Sequence, residues 1–179
     1  MFKLETANLI LQELNEHQDT DLILELLNDT AFLKNIGDRG IRTKEDARNY
    51  ILNGPIAMYR QHKLGMYKVS LKNGTPIGTC GLVKREELDD VDIGFAFLPA
   101  FRRQGFAFES AQAVMQYAQQ ELGLKRILAI ALPDNQPSIR LLQKLGLNAK
   151  KNIVLPGKTE TLLLMAWHDA SNPNTQAEY

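Results

Sequence analysis

The sequence is short of the residues that staple a fold, cross a bilayer or hold a metal. It has one cysteine, Cys80, so no internal disulfide can form, which fits a reducing compartment. No apolar run approaches the roughly 20 residues that span a bilayer. Met1-Phe2-Lys3-Leu4-Glu5 lacks the charged-then-apolar layout of a signal peptide. The expected location is therefore cytoplasmic, with no membrane partner. An excess of charge is missing too: 21 basic and 21 acidic side chains give a formal net charge of zero. A balanced chain has no electrostatic reason to bind nucleic acid non-specifically, so none is expected as a partner. His17, His62 and His168 lack metal-ligand spacing, and no metal is expected. The full glycine fingerprint of a dinucleotide-binding unit is absent, as is the Gly-Lys-Ser/Thr of a P-loop. There is no internal repeat and no low-complexity linker.

What is present is an ordinary globular composition. The 179 residues are 44% hydrophobic and 23% charged, enough for one domain with a sizeable core. That domain is expected over residues 1–168, with a polar tail over 169–179. Leu9 and Leu11 suggest a strand over 8–14, and Leu22, Ile23, Leu26 and Leu27 suggest a helix within 16–29. Thr43 with Asp46 three positions on reads as a helix start, and Asn53-Gly54-Pro55 as its end. Tyr67, Val69 and Leu71 alternate into an Asn73-Gly74 turn, and Ile77 to Val83 returns as the second hairpin strand. After the acidic connection Glu86 to Asp90, the pattern predicts a strand over 91–98, a helix over 105–122 and a buried strand over 126–132. A short helix over 136–145 and strands over 149–155 and 160–167 complete the chain.

The strand–helix–strand unit over 91–132 places its two strands side by side and parallel, by the right-handed crossover rule. The fold class is α/β, with a mixed sheet whose ligand crevice lies beyond the carboxyl ends of the parallel pair. Arg102–Ala107 and Asn135–Ser138 both fall at that edge. In the first segment paired arginines and one glycine lead directly into a helix, so backbone N–H groups collect at a positive helix end, where a phosphate can sit. Gly105 and Ala107 keep side chains small at a close backbone approach. Asn135 can cap the next helix with its oxygen and keep its amide N–H groups free. Ser138 reads equally as a local backbone hydrogen bonder. Cys80, mid-strand beside Gly81, reads as a small buried residue.

Arg102-Arg103-Gln104-Gly105-Phe106-Ala107 resembles the arginine/glutamine–x–x–glycine–x–glycine/alanine signature of the GNAT superfamily of acyl-CoA N-acetyltransferases. Asn135-Gln136-Pro137-Ser138, continuing to Lys144-Leu145-Gly146-Leu147, resembles the family's asparagine–x–x–serine helix and its lysine–x–glycine–phenylalanine ending. Leu4 to Leu11 resembles the opening of the RimJ/RimL-like subgroup, and Ile93-Gly94-Phe95 its isoleucine–glycine–tyrosine strand.

The resemblance implies the GNAT fold, a mostly antiparallel sheet with one splayed parallel pair flanked by helices. It implies direct transfer of an acetyl group from acetyl-CoA, the co-substrate, to a primary amine. In the family the strand at Phe97 and Leu98 is bulged and splays from its neighbour, the pantetheine arm lies in the gap, and an N–H there polarises the thioester carbonyl. Backbone groups of Arg102, Arg103, Gln104, Gly105, Phe106 and Ala107 would hold the pyrophosphate. Asn135 would contact the pantetheine arm, and Ser138 would stabilise or protonate the departing thiolate. Asp92 stands where many relatives carry an acidic residue and is a candidate general base, with Glu86 and Glu87 as rivals. Two positions depart from the family: Leu142 replaces a common tyrosine acid and Phe95 a common tyrosine. The subgroup favours a protein or peptide N-terminus as acceptor. A small-molecule amine (polyamine, amino acid or aminoglycoside) and a noncatalytic acyl-CoA-binding module stay open as alternatives, as do monomer and homodimer.

Overall fold

The computed structural model describes residues 2–169. The first strands, β1 (Lys3–Glu5) and β2 (Leu9–Glu13), are followed by α1 (Thr20–Leu27) and α2 (Thr30–Asn35). Asp29 separates these helices by capping α2, accepting from the N–H groups of Ala31 at 3.0 Å and Phe32 at 3.2 Å. The helix α3 (Lys44–Ile51) opens on a reciprocal Thr43–Asp46 capping box. Its end differs from expectation. The chain stays helical through a π turn, Leu52–Ile56, into α4 (Ala57–His62), and stops only at Lys63, which takes the left-handed conformation. A widened turn tolerates Pro55, whose missing N–H would break an ordinary one.

The hairpin β3 (Met66–Leu71) and β4 (Pro76–Val83) turns at Gly74, and β5 (Asp92–Phe97) follows. A 3₁₀ turn at Pro99–Phe101 leads to α5 (Phe106–Gln120), then β6 (Arg126–Ala131), α6 (Gln136–Lys144), β7 (Asn148–Val154) and β8 (Thr161–His168). Among the described residues the eight strands form one sheet in the order β1-β2-β3-β4-β5-β6-β8-β7. The β5–β6 pair is parallel and the other pairs are antiparallel. This is the mixed α/β architecture expected from the residue pattern. Four elements had no clear pattern of their own: β1, α2, the π turn and α4. Apart from Asp169, whose N–H donates to Lys125 O at 2.9 Å, the expected tail over 169–179 lies outside the described residues. No described helix is long and apolar enough to cross a membrane.

Alternation along the strands sends side chains to two faces. On one, Cys80, Leu82, Ile93 and Phe97 pack with Ala111, Val114, Met115 and Ala118 of α5 and with Ile139 and Leu142 of α6. On the other, Ala96 and Leu98 meet Leu22, Ile23, Leu26, Ala47 and Ile51 of α1 and α3. A third cluster, Leu88, Leu128, Leu164 and Ala166, lies on that second face under β6 and β8.

The start of α5 is tied to the far edge of the sheet by Glu109. Its carboxylate accepts from Thr6 Oγ1 at 2.6 Å and from Asn8 N and Nδ2 at 2.8 and 3.0 Å. Burial alone would raise its pKa, but the bonds from Thr6 and Asn8 outweigh that and hold it below the ordinary glutamate value. A depressed carboxylate contributes stability above its unfolded pKa and loses it as pH falls through the folded one. Urea denaturation should therefore show Glu109→Gln destabilised by about 1 kcal/mol at pH 7, with the gap to the parent chain narrowing below about pH 4.5.

Candidate active site

The parallel strands β5 and β6 meet at a single register pair, Asp92 with Leu128, and Leu128 N–H donates to Val91 O at 2.9 Å. Beyond that point, among the described residues, the two strands share no further pair. Each stays bound on its outer side: β5 to β4 over six consecutive pairs, β6 to β8 over six. The sheet therefore opens as a wedge toward the carboxyl ends of β5 and β6. Gly78 explains why β5 leans to β4. A Cβ there would stand 2.3 Å from Ala96 O and 2.9 Å from the Phe97 Cα, so only glycine allows this approach.

Hydrogen-bond alternation fixes which backbone groups face the wedge. Leu98 N–H donates to Ile77 O at 2.9 Å, so its register neighbours Ala96 and Gly94 also bond β4, and Phe95 and Phe97 turn the other way. On the opposite wall the Asp169–Lys125 bond sets the same alternation with β8 and leaves Ile130 facing β5. The wedge is thus lined by peptide groups of Phe95, Phe97 and Ile130, polar groups that need partners, and of these Phe97 O already accepts from Arg102 Nε. Two expectations need correction. The β4–β5 register is continuous, so the wedge arises without a bulge in β5, and the Leu98 amide is bonded to Ile77 rather than free. The side chains of Phe97 and Leu98 are buried, so only backbone at Phe97 reaches the wedge.

At its mouth the loop from Arg102 bends through two left-handed residues, Arg103 (φ 61°) and Gly105 (φ 88°), straight into α5. No side chain caps this helix. Its first amide with a helical partner is that of Glu109, which donates to Gly105 O at 3.0 Å, so the N–H groups of Phe106, Ala107 and Phe108 point out unpaired within the helix. The half-buried Phe106 and Ala107 side chains pack on the core and hold the turn in place. Space beside Gly105 is open. Arg103 is exposed and has no ion-pair partner among the described residues. Gln104 Nε2 donates to Ala100 O at 2.8 Å. Arg102 is committed elsewhere. Its guanidinium donates to Phe97 O at 2.9 Å and pairs with Asp29, the cap of α2. Asp29 escaped the sequence reading because the pattern over 16–29 ran into it; the Asp29-Thr30 helix-start signal was the clue.

Across the mouth, Asn135 Oδ1 accepts from Ser138 N at 3.4 Å and caps α6. The Asn135 amide N–H groups and the half-buried Ser138 hydroxyl have no partner among the described residues. Both segments thus converge at one end of the wedge. Leu142 is 2% exposed and lies in the core, where it presents no proton donor to the wedge. The acidic candidates stand at the other end. A six-residue strand separates Asp92 from the loop, roughly 16–20 Å. Asp92 is 2% exposed and accepts from Arg85 Nε at 2.8 Å. Burial pushes its pKa up, Arg85 pulls it back, and Glu87 adds to the rise. Glu86 is exposed on the connection between β4 and β5, beside the closed end. Cys80 is fully buried, as expected. The described residues contain no cluster suited to a metal ion.

A wedge of this kind beside an uncapped helix start can take an extended ligand that carries an anionic group. The family model described as acetyltransferase (GNAT) domain matches residues 8–148, and the chain belongs to that family of acetyl-CoA-dependent N-acetyltransferases. Two proteins of Bacillus subtilis (strain 168) are similar along most of the chain. The uncharacterized N-acetyltransferase YoaA is 32% identical over 146 residues, 80% of this chain and 81% of its own. The uncharacterized N-acetyltransferase YnaD is 29% identical over 143 residues, 79% and 80%. Among solved structures, an acetyltransferase from Agrobacterium tumefaciens str. C58 superposes with a TM-score of 0.80 at 18% identity, covering 94% of this chain and 95% of its own. RimL, a ribosomal L7/L12 alpha-N-protein acetyltransferase, superposes at 0.78 with 18% identity, covering 94% of each chain. These structures share the fold.

Replacing Gly105 with glutamate places a carboxylate where the exposed amides gather. Gly105→Glu should weaken coenzyme A binding at least about tenfold in calorimetry, through repulsion of the diphosphate. The left-handed φ should itself lower stability by about 1 kcal/mol, read separately by denaturation.

Proposed function

We propose that this enzyme acetylates the N-terminal amino group of a protein or peptide, with acetyl-CoA held in the β5–β6 wedge. The observation that carries the reading is the single-pair junction of β5 and β6 opening beside an uncapped helix. The residues present fit the cofactor. Amides from Arg103 to Ala107 would take the diphosphate, with the charge of Arg103 beside them. Peptide groups of Phe95, Phe97 and Ile130 would pair with the amides of the pantetheine arm as a strand would. The Asn135 amide would bond the same arm. When bound, acetyl-CoA supplies an activated acetyl group on a thioester.

The chain's residues then have two tasks. An attacking amine must be neutral, so a proton has to leave it. Asp92, with its pKa raised by burial and its charge tied to Arg85, is the proposed acceptor of that proton through water along the wedge, since it stands at the end away from Ser138. Glu86 and Glu87, exposed on the neighbouring connection, are the proposed route to solvent. Ser138 is the proposed donor to the departing sulfur, because Leu142 has no hydroxyl to offer. A peptide acceptor is favoured by the RimJ/RimL-like opening Leu4–Leu11 and by the RimL fold neighbours. A cytoplasmic site of action fits a chain with one buried cysteine.

The test is an acceptor panel with purified protein and acetyl-CoA, read by free thiol release and by mass. Peptides with free N-termini should gain one acetyl group, and the same peptides blocked at the N-terminus should not. Turnover of polyamines or aminoglycosides alone would overturn the acceptor class. Ser138→Ala should lower kcat by about tenfold or more while the acetyl-CoA KM stays within about twofold.

A further inference from the structure

We infer that Arg102 is a positioning residue that couples the wedge to helix α2, so that an occupied wedge orders that helix. The inference rests on the wedge being the acetyl-CoA site. One guanidinium joins three elements. Its Nε donates to Phe97 O at 2.9 Å, a carbonyl that alternation turns away from β4 and into the wedge. Its second arm pairs with Asp29 Oδ2. That same oxygen accepts from Ala31 N at 3.0 Å and Phe32 N at 3.2 Å, the first turn of α2. An unbroken chain of hydrogen bonds therefore runs from a wedge carbonyl, through the phosphate loop, into a helix 73 residues away in sequence. The link is sheltered, with Asp29 10% and Arg102 34% exposed. Burial alone would raise the Asp29 pKa, but the bonds from Arg102, Phe32 and Ala31 outweigh it and hold the carboxyl below the ordinary aspartate value.

The helix lies where such coupling has an effect. At its far end Lys34 Nζ stands 3.8 Å from Asp134 Oδ2, beside Asn135. Helix α2 thus reaches from its buried tie at the end of β5 toward the residues that follow β6, where the Lys34 pair is solvent-exposed and weak. It presents Leu33 (36% exposed) and Ile36 (44%) outward. The Arg102 link differs in kind from the Lys34 pair. A planar fork holds a carbonyl and a carboxylate at once, which a lysine ammonium on a flexible stem cannot do in the same geometry. A ligand amide that bonds Phe97 O shares that acceptor with Arg102. The guanidinium then leans to Asp29 and tightens the α2 cap. Coupling is reciprocal, so an ordered α2 in turn favours the filled wedge.

The experiment is hydrogen exchange of the full chain with and without coenzyme A, alongside calorimetry. Coenzyme A should slow exchange over residues 31–36 by about fivefold or more in the parent protein. Asp29→Asn keeps a good helix cap but removes the charge facing Arg102. Arg102→Lys keeps the charge but removes the fork. Asp29→Asn should bind coenzyme A within about threefold of the parent while exchange over 31–36 stops responding to it, and Arg102→Lys should lose the same response at saturating coenzyme A. A parent protein that binds coenzyme A with no change in α2 exchange would overturn the inference, as would variants that keep the full response. A parent protein that binds no coenzyme A would instead sink the reading of the wedge on which the inference stands.

Discussion

Peptide groups left unpaired inside a sheet are unfavourable, so the parting of β5 from β6 needs support from both sides. It comes first from pairing elsewhere. Six consecutive pairs fasten β5 to β4, and six fasten β6 to β8, so neither strand loses its place when the two separate. Gly78 brings β4 against the last residues of β5 more closely than any side chain would allow. Above and below, α5 and the α1–α3 layer press on opposite faces and keep the two halves of the sheet from closing or sliding. The loop, the helix start and Asn135 reach the wedge because they follow directly from its two strands.

Much of this was legible because it is local. The Thr43 box, the Asn73-Gly74 turn, the uninterrupted run into α5 and the capping asparagine each rest on a few neighbouring residues, and the crossover rule alone makes β5 and β6 parallel. What stayed hidden is non-local. No spacing reveals that Arg102 faces Asp29, that Asp92 faces Arg85, or that the peptides of Phe95 and Ile130 line the gap. Pro55 read as a stop, since a single residue cannot announce that the turn around it will widen. The bulge implied by family resemblance is absent because a close glycine contact and a regular ladder suffice.

The site is also polarised along its length. Cationic and amide groups collect at the open end, with Arg103 and the start of α5. Carboxylates collect at the closed end, in Glu86, Glu87 and Asp92. Lys84 and Arg85 share the closed end with these carboxylates, so the polarity lies in the groups exposed along the wedge rather than in net charge. Pairing with Arg85 lets Asp92 sit in the core without an isolated charge.

Cys80 lies in the core against α5, and burial pushes its thiol up to about 12 with Ser110 pulling only weakly the other way. One solved RimL structure carries coenzyme A in disulfide linkage to a cysteine of that protein. Here the sulfur is fully buried in the sheet, and burial disfavours its thiolate. Oxidised coenzyme A should therefore leave Cys80 of the folded protein unmodified, and the disulfide of that RimL structure has no counterpart at this position.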